Sequence, residues 1–480
     1  MTRPELVAYL NALETEHDVN AMFLDDACVW PLIRQKIGEF LLRNEEPPGS
    51  EDFELPASKT RRAFRFGNGL ARMGWSRIAF ARIDLLFLSL AAHKQLVQHV
   101  RYDRFSDPLL GAAVRNGFKC LVLEHGEASL IDHGQRVHHW DLAPQLEAGA
   151  ALHWRKAQPA IASVPVLPDL LQRVELDGHV MDRSFLRNQL HTFRFYRQVY
   201  HGLLKRLRPR CVFMVCWYSA ENMALVHECR QLGIRSVDLQ HGVQGPAHLA
   251  YGSWKVIPGT GYSVMPSVFW CWDRQSVTNI ERWASGTPHR ALYLGDPFME
   301  YSANLPRDAR WKNDGRKRVL YAIQPLNDVV PALILRTIHA TRSMAQWMIR
   351  THPNWKRTIP AIVAILEKEG LQHEVVIDDG SITPLAPVLA SADLHVTDFS
   401  SVVIEAASLG IPSAAVHPHA ADVFTEHLSN GSLSMTLTSE ALIAWVHAPG
   451  VPPALPDPLP PLVDRMALAM GIPEPLPTGL

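Results

Sequence analysis

The residues best suited to bind a ligand lie in a polar turn near the carboxyl end of the chain. An apolar segment predicts a buried strand end, followed by Thr397, Asp398, Ser400 and Ser401. The two serines fall where a helix begins, and a helix N-terminus offers unpaired N–H groups and partial positive charge to a phosphate. Glu405, one turn further along, is placed to bind a ribose hydroxyl. The alternative is a capped helix without a ligand.

A second polar group follows an earlier apolar strand. Arg350 ends that strand, and His352 and Pro353 come next. Proline cannot continue a strand ladder, so His352 stands at the carboxyl end of the strand, the edge at which open α/β sheets bind ligands. A lone histidine is usually structural. A basic residue and a histidine at one strand end, with a serine pair at the next suitable turn, predict a phosphate-binding site.

His241 follows a third apolar strand and begins a loop with the sequence His-Gly-Val-Gln-Gly. The glycines allow the backbone to pass close to a ligand. A histidine at this position suits a general base for an acceptor hydroxyl, and the alternative is a loop histidine that caps a helix. Asp238, on the strand leading to His241, is either a buried structural carboxylate or one that orients the histidine or acts directly.

No group of residues has the spacing of a metal site. Asp378 and Asp379 precede a glycine at a strand end, which is ordinary turn chemistry rather than an Asp-x-Asp metal site. His133, His138 and His139 lack a convincing third ligand. We therefore predict no metal and no cofactor other than the substrate itself.

Length and composition limit the class of protein. A chain of 480 residues is too long for one ordinary core and predicts two domains. A formal net charge of −1 argues against a general nucleic-acid binder. The six cysteines form no C-x-x-C pair, which fits a reducing cytoplasm. No signal-peptide core and no run of about 18 apolar residues are present, so we expect a cytoplasmic protein.

Alternation of strand and helix patterns in both halves predicts two parallel sheets. We expect a helical extension and linker over residues 1–58, an N-terminal acceptor domain over 59–288, and a C-terminal donor domain with a Pro-rich tail over 289–480. Basic and aromatic residues alternate from Lys59 to Arg82. This stretch is either a solvated helix face or a contact with an anionic membrane or lipid-linked acceptor.

The order strand, short helix, Ala-Asp, strand and serine turn over 375–413 resembles the donor half of GT-B glycosyltransferases. The resemblance is to the branch with the CDP-glycerol glycerophosphotransferases of teichoic acid synthesis and the CMP-sialic acid and CMP-Kdo transferases of bacterial capsules. It implies an α/β fold of two Rossmann-like domains with parallel sheets facing a central cleft. It also implies that the His-Pro and Ser-Ser motifs hold the phosphates of a cytidine nucleotide, and that no metal is needed.

The same resemblance assigns catalytic roles in the N-terminal half. Teichoic acid polymerases carry a Trp-His-Gly motif whose histidine is thought to be catalytic, and here Gln240 replaces the tryptophan before His241. Glu124-His-Gly resembles the acidic motif of the CMP-sugar transferases, which implies a catalytic role for Glu124 and leaves His125 as a departure from the pattern. Either His241 or Glu124 is the expected base.

These features predict a glycosyltransferase of bacterial surface polysaccharide (capsule or O-antigen) synthesis with a cytidine-activated donor, namely CMP-Kdo, CMP-sialic acid or a CDP-polyol. The expected partners are that nucleotide sugar and a saccharide or lipid-linked glycan acceptor, with peripheral contact to the inner membrane as an option and no nucleic acid. One alternative is a UDP-sugar enzyme, including the UDP-N-acetylglucosamine 2-epimerases, which have Gly-Gly at the Ser400-Ser401 position. Another is a non-catalytic scaffold in capsule assembly.

Overall fold

The computed structural model describes most of the chain. The described residues are 2–43, 82–97, 99–125, 131, 133–134, 136–141, 159–302, 304–306, 308–324, 326, 328–352 and 358–472. The expected linker over 44–58, nearly all of the basic and aromatic stretch, and Pro353 lie outside them. None of the helices built from described residues is long and apolar enough to cross a membrane.

The N-terminal domain contains a seven-stranded sheet whose neighbouring strands are all parallel. Its central strands are almost wholly apolar, as expected of parallel strands buried on both faces. In chain order, the strands of this half are β1 (Phe23–Leu24), β2 (Ala27–Cys28), β3 (Leu85–Leu90), β4 (Lys94–Val97), β5 (Val100–Asp103), β6 (Cys120–His125), β7 (Val137–Asp141), β8 (Cys211–Met214), β9 (Arg235–Leu239), β10 (Val268–Cys271) and β11 (Arg290–Tyr293).

Helices pack around this sheet. They are α1 (Arg3–Glu16), α2 (Trp30–Arg43), α3 (Ser106–Arg115), α4 (Leu167–Leu176), α5 (Arg183–Leu207), α6 (Ala220–Gln231) and α7 (Arg274–Ala284). The longest, α5, is capped by the preceding residue Asp182, whose side chain accepts a 2.8 Å hydrogen bond from the backbone N–H of Ser184. Such a cap satisfies one of the N–H groups that a helix leaves unpaired.

The C-terminal domain contains a six-stranded parallel sheet. Its strands are β12 (Lys317–Ala322), β13 (Ala345–Arg350), β14 (Val375–Asp378), β15 (Leu394–Thr397), β16 (Ser413–Ala415) and β17 (Leu433–Met435). The helices of this half are α8 (Pro297–Ser302), α9 (Ala332–Thr341), α10 (Thr358–Lys368), α11 (Leu385–Leu389), α12 (Val402–Ser408), α13 (Ala420–Val423), α14 (Thr425–Ser429), α15 (Ser439–His447) and α16 (Leu462–Met470).

Both sheets have the same strand order. The orders are β11-β10-β9-β8-β3-β6-β7 and β14-β13-β12-β15-β16-β17. In each, the first strand lies beside the second on one side and the fourth on the other, which is the order of doubly wound sheets. The direction in which successive strands are added to the sheet reverses between β3 and β8 and between β12 and β15, although these strands are parallel. Ligands bind at such switch points. The predicted α/β fold of the GT-B type, with two Rossmann-like domains, is confirmed.

The two domains meet closely across the cleft between their sheets. Gly245 of the N-terminal domain approaches α13, where an added Cβ would lie only 3.1 Å from the carbonyl oxygen of Val423. Nearby, the side chain of Gln275 accepts a 3.1 Å hydrogen bond from the backbone N–H of Glu426. Gly245, in the loop that follows His241, therefore allows the two domains to approach closely.

The two N-terminal helices belong to the core of the N-terminal domain rather than to a separate extension. Arg34 of α2 and Glu14 of α1 form a fully buried ion pair at 2.8 Å. Arg34 also donates to the carbonyl oxygens of Leu249 and Ser253, far along the chain. Because a buried charge is tolerated only with its partners in place, these contacts fix both helices on the domain.

The last helix returns to the N-terminal domain. Arg465 of α16 donates to the carbonyl oxygen of Leu294 and pairs with Glu300. Met466 and Met470 are buried in a cluster that also contains residues of the N-terminal sheet. The expected C-terminal range of 289–480 thus includes β11, which is a strand of the N-terminal sheet, and α16, which packs on the N-terminal domain and helps to hold the two domains together.

Candidate functional site

The serine turn lies at the switch point of the C-terminal sheet, and much of its hydrogen bonding is internal. The Thr397 hydroxyl donates to the carbonyl oxygen of Ala322 at 2.9 Å and accepts from the N–H of Ser400 at 3.1 Å. The N–H of Val402 is 3.4 Å from the Ser400 hydroxyl. Ser401 precedes α12 without capping it, and α12 has only seven residues. The turn is therefore preformed, and phosphate binding there stays a prediction.

Asp398 links the serine turn to the end of the neighbouring strand β12. Its carboxylate accepts hydrogen bonds from the Tyr321 hydroxyl at 3.2 Å and from the N–H of Gln324 at 3.1 Å. Burial raises the pKa of Asp398 to about 6. These contacts join the ends of β12 and β15, the two strands that flank the switch point.

Arg350 is buried and held by its own domain. Its guanidinium pairs with Asp378 of the adjacent strand and donates to the carbonyl oxygen of Thr383 at 2.7 Å. Arg310 contacts the same Asp378 at 2.7 Å. His352 lies half-buried beyond Arg350, and burial together with the neighbouring Arg350 charge lowers its pKa. Arg350 therefore already has two hydrogen-bond partners within its own domain, Asp378 and Thr383.

Glu405 faces the other domain. Its side chain is 5% exposed, and the guanidinium of Arg104, from the N-terminal domain, lies 3.6 Å away. Burial raises the pKa of Glu405 to about 7 despite the favourable charge of Arg104. A second carboxyl group, Asp296 in the segment joining the domains, also has a pKa raised by burial. One of its oxygens, Oδ2, is buried without a hydrogen-bond partner. Two carboxyl groups thus approach one arginine at the cleft.

A cavity of about 450 Å³ adjoins these carboxyl groups, a volume within the range of small-ligand sites. Residues from both domains and from the Pro-rich tail line it, among them Trp272, Tyr293, Asp296, Glu405, His427 and Leu455. Aromatic rings beside carboxyl groups suit a ligand with hydroxyl groups on an apolar ring face. The cavity can therefore accommodate a sugar.

His241 lies at the end of β9, at the N-terminal side of the cleft. Its Nε2 atom is 3.2 Å from the Tyr218 hydroxyl and 3.3 Å from the Cys216 thiol. The other ring nitrogen, Nδ1, is buried without a partner. Burial, together with the charge of Arg104, lowers the pKa of His241 to about 4. The imidazole is therefore neutral at physiological pH.

Asp238 is fully buried on β9, three residues before His241. None of its described hydrogen bonds is to His241. Its oxygens accept from the N–H of Trp217 at 3.1 Å and from the Tyr251 hydroxyl at 2.6 Å. Burial raises the pKa of Asp238 to about 7. The Tyr251 ring, held by this bond, lies 6.3 Å from the His241 ring. The geometry fits the structural alternative, in which Asp238 fixes the packing behind the histidine.

Glu124, at the end of β6, is buried between two basic side chains. It pairs with Lys94 and accepts from His139 Nδ1 at 2.8 Å. Burial opposes its ionisation, but the hydrogen bonds from His139 and Lys94 outweigh that effect and hold its pKa below the usual range. A carboxylate held in this way is a weak base. The structure does not bring Glu124 together with His241 through any described hydrogen bond.

Two residues of the cleft were not identified from the sequence. Arg104 follows β5 in a short antiparallel hairpin, and His93 follows β3. Burial, then the nearby His241 and Arg104, lowers the pKa of His93 to about 3. The available signal was position, since His93 comes directly after the first strand of the sheet, where a switch point is expected. Arg104 carried no such signal because its hairpin interrupts the strand–helix alternation.

Among the described residues, no cluster of three or more His, Cys, Asp or Glu side chains is arranged to hold a metal ion. Asp378 is paired with arginines, and Asp379 accepts from the N–H of Ser381 at 2.9 Å. His133 contacts Asp107 at 3.0 Å. These side chains therefore have structural partners of their own.

A scan against protein-family models finds no match, and a search of curated proteins also finds none. Solved structures with a similar outline include a Listeria monocytogenes protein assigned as a UDP-N-acetylglucosamine 2-epimerase, at 12% identity and a TM-score of 0.47, covering 83% of this chain and 93% of that one. Staphylococcus aureus MnaA with UDP matches at 9% identity and a TM-score of 0.45 (83% and 100% covered). The UDP-GlcNAc 2-epimerase of Neisseria meningitidis bound to UDP-GlcNAc matches at 11% and 0.45 (75% and 90%). Likeness at this level concerns the outline of the fold alone.

Proposed function

We propose that this protein is an enzyme that acts on a nucleotide-activated sugar in the cleft between its two domains. The observation that supports this most is the meeting of Arg104 from one domain with Glu405 from the other, beside a cavity of sugar size. Buried titratable groups with shifted pKa values, gathered in a cleft, are typical of catalytic sites.

The first candidate is glycosyl transfer. The nucleotide phosphates would bind at the C-terminal switch point, near His352 and Ser401, and the sugar would extend toward Glu405. Glu405 is the best placed base because a pKa of about 7 suits proton transfer near neutral pH. It would take the proton of the acceptor hydroxyl while the nucleotide leaves. This replaces His241 and Glu124, whose lowered pKa values make them weak bases.

The motifs favour a cytidine-activated donor (CMP-Kdo, CMP-sialic acid or a CDP-polyol), with a surface polysaccharide or lipid-linked glycan as acceptor. The support is the Arg-x-His-Pro and Ser-Ser pattern over Arg350–Pro353 and Ser400–Ser401. A UDP-activated donor would fit the same site, because uridine and cytidine nucleotides both carry phosphate groups that the motifs could bind. Contact with a membrane through the basic and aromatic stretch belongs to this proposal.

The second candidate is epimerisation of a UDP-sugar. One observation favours it: Asp296 and Glu405 both have raised pKa values and both border the cavity. A reaction that removes a proton from a sugar carbon and returns one to the opposite face needs two acid–base groups. A transferase needs only one. This candidate requires no acceptor.

Titration calorimetry with CMP, CDP, UDP and GDP tests the shared part of the proposal, because an enzyme of this class must bind one of them. Proton NMR then separates the candidates. Incubating UDP-GlcNAc with the enzyme in D₂O should give a new epimer with deuterium at the epimerised carbon if the second candidate holds. Release of nucleotide from a CMP- or CDP-linked sugar only with a glycan acceptor supports the first. Absence of nucleotide binding would refute both.

A further inference from the structure

Three buried nitrogen atoms at the N-terminal side of the cleft have no hydrogen-bond partner. They are Nδ1 of His93, Nε of Arg104 and Nδ1 of His241. Buried polar groups are nearly always hydrogen-bonded, and each exception costs free energy. Unpaired buried atoms also occur elsewhere among the described residues, but these three lie near one another at the switch point of a doubly wound sheet, where one ligand can satisfy them together.

Backbone and ring contacts hold His93 and Arg104 close to one another, and His241 lies within electrostatic range of both. The N–H of Arg104 donates to the carbonyl oxygen of His93 at 3.3 Å. Both side chains pack on Phe105: the His93 ring edge-on at 4.9 Å and the guanidinium carbon of Arg104 at 4.8 Å from the ring centre. His241 interacts electrostatically with both His93 and Arg104. The cluster is therefore assembled by the fold before any ligand binds.

The contacts of His241 favour one position for its ring proton. Nε2 faces two groups that can donate, the hydroxyl of Tyr218 and the thiol of Cys216. A hydroxyl is the better donor to a neutral imidazole nitrogen, which has one acceptor lone pair. With Nε2 accepting from Tyr218, the proton resides on Nδ1. The nitrogen without a partner is then an N–H donor.

We propose that Arg104 and His241, flanked by His93, form an oxyanion site on the N-terminal domain, in which His241 donates a hydrogen bond from Nδ1 rather than accepting a proton. This inference rests on the proposed function for its role in catalysis. The ligand is a phosphate or carboxylate oxygen. A nucleotide phosphate and the carboxylate of an acidic sugar are its two possible sources.

Charge at the cleft favours an anion at this site. Arg104 supplies the positive charge, and burial keeps the two histidines neutral. The carboxyl groups opposite, Glu405 and Asp296, both have pKa values raised by burial, so they compete less for Arg104 than surface carboxylates do. Preorganised donors of this kind stabilise charge that develops during a reaction.

Replacing His241 with each carboxamide residue separates the donor role from the base role. The amide nitrogen of asparagine can occupy the Nδ1 position, and that of glutamine lies nearer Nε2. Neither amide accepts a proton at neutral pH. We expect His241→Asn to keep turnover within about tenfold, whereas His241→Gln and His241→Ala lose roughly 10²–10³-fold, as after removal of an oxyanion donor. Equal loss in all three variants overturns the donor assignment.

Nitrogen NMR of histidine-labelled protein tests the site without any assay of turnover. We expect the Nδ1-protonated form of His241 in the wild type and a mixture of tautomers in Tyr218→Phe. Inorganic pyrophosphate and free N-acetylneuraminate are the probes. A shift of the His241 signals with the first assigns the site to phosphate, and a shift with the second assigns it to a sugar carboxylate.

Arg104→Met should abolish either shift, and Arg183→Met, at an exposed arginine paired with Glu175 at 2.7 Å, should leave it unchanged. No shift with either probe, or the opposite tautomer in the wild type, overturns the proposal. Because these probes carry neither nucleoside nor activated sugar, the result is independent of whether the proposed enzyme activity is found. Failure of the proposed function would instead appear as a lack of nucleotide binding.

Discussion

The two sides of the cleft use their polar residues in opposite ways. On the C-terminal side, Arg350 is paired with Asp378, and the Thr397 hydroxyl of the serine turn donates to the carbonyl oxygen of Ala322 on β12 and accepts from the N–H of Ser400. On the N-terminal side, Arg104 and His241 have buried nitrogens without partners. The C-terminal side is a rigid support whose internal bonds fix its shape. The N-terminal side presents two basic side chains, Arg104 and His241, whose unpaired nitrogens have more to gain from an anionic ligand.

This difference separates stability from ligand binding. Removing a side chain that is already bonded within its domain should cost folding free energy, because its partner is left buried and alone. Removing a side chain whose nitrogens have no hydrogen-bond partner should weaken ligand binding or lower turnover, with little effect on the free energy of unfolding. Substitutions on the two sides can therefore test the comparison directly.

The largest effect is expected at Arg104. Arg104→Met should lower turnover by roughly 10²–10³-fold, because it removes the only described N-terminal cation facing Glu405 at 3.6 Å. The free energy of unfolding should change by no more than about 1 kcal/mol, since no strong hydrogen bond of the guanidinium is lost. Steady-state kinetics and urea unfolding give the two quantities. Large destabilisation with normal turnover would reverse the assignment of the two sides.

Arg350→Met should lower the stability of the fold more than it lowers turnover. It leaves Asp378 buried with Arg310 as its remaining cation, and we expect a loss of about 3 kcal/mol in the free energy of unfolding. Urea denaturation measures this, and Arg318→Met is a matched control, since Arg318 also pairs with an aspartate at 2.7 Å but is 30% exposed. Unchanged stability of the Arg350 variant would show that its charge is available for a ligand.

The serine turn offers a finer test within the C-terminal side. Ser401→Ala and His352→Ala should each weaken nucleotide binding by roughly tenfold or more, the effect of one charge-assisted hydrogen bond. Ser400→Ala should act on the turn itself, because its hydroxyl is within 3.4 Å of the Val402 N–H. Calorimetry measures the affinities. Unchanged affinity in both the Ser401 and His352 variants would remove the phosphate from this turn.

The last prediction concerns the pH dependence of stability. The pKa of Glu405 rises from 4.5 to about 7 on burial, so the folded protein holds this proton more tightly than the unfolded chain. The stability that this group contributes is present below pH 4.5 and is lost as pH rises toward 7, with a slope of at most about 1.4 kcal/mol per pH unit. Glu405→Gln should flatten this part of the profile in urea unfolding. An unchanged slope would show that Glu405 ionises normally.

Much of the fold followed from local pattern. Apolar runs separated by helical segments predicted both parallel sheets, because strand period and helix period are set by neighbouring residues. The serine turn and the strand end at Arg350 were found in the same way. The packing of α2 and α16 on the N-terminal domain was not found, since it depends on contacts such as Arg34 with Leu249 and Arg465 with Leu294.

The sequence by itself determined the fold class and the sheet edges on which polar residues stand. Residue type and spacing could place His241, Glu124 and Arg350 at strand ends, but not say which of them had partners. Only the tertiary structure decided that Glu124 and Arg350 are neutralised by neighbours, that burial makes His241 a poor base, and that Arg104 faces Glu405. The physical reason is that the hydrogen-bond partners and the burial of a side chain come from residues distant in sequence. These determine its charge and which of its polar atoms are left for a ligand.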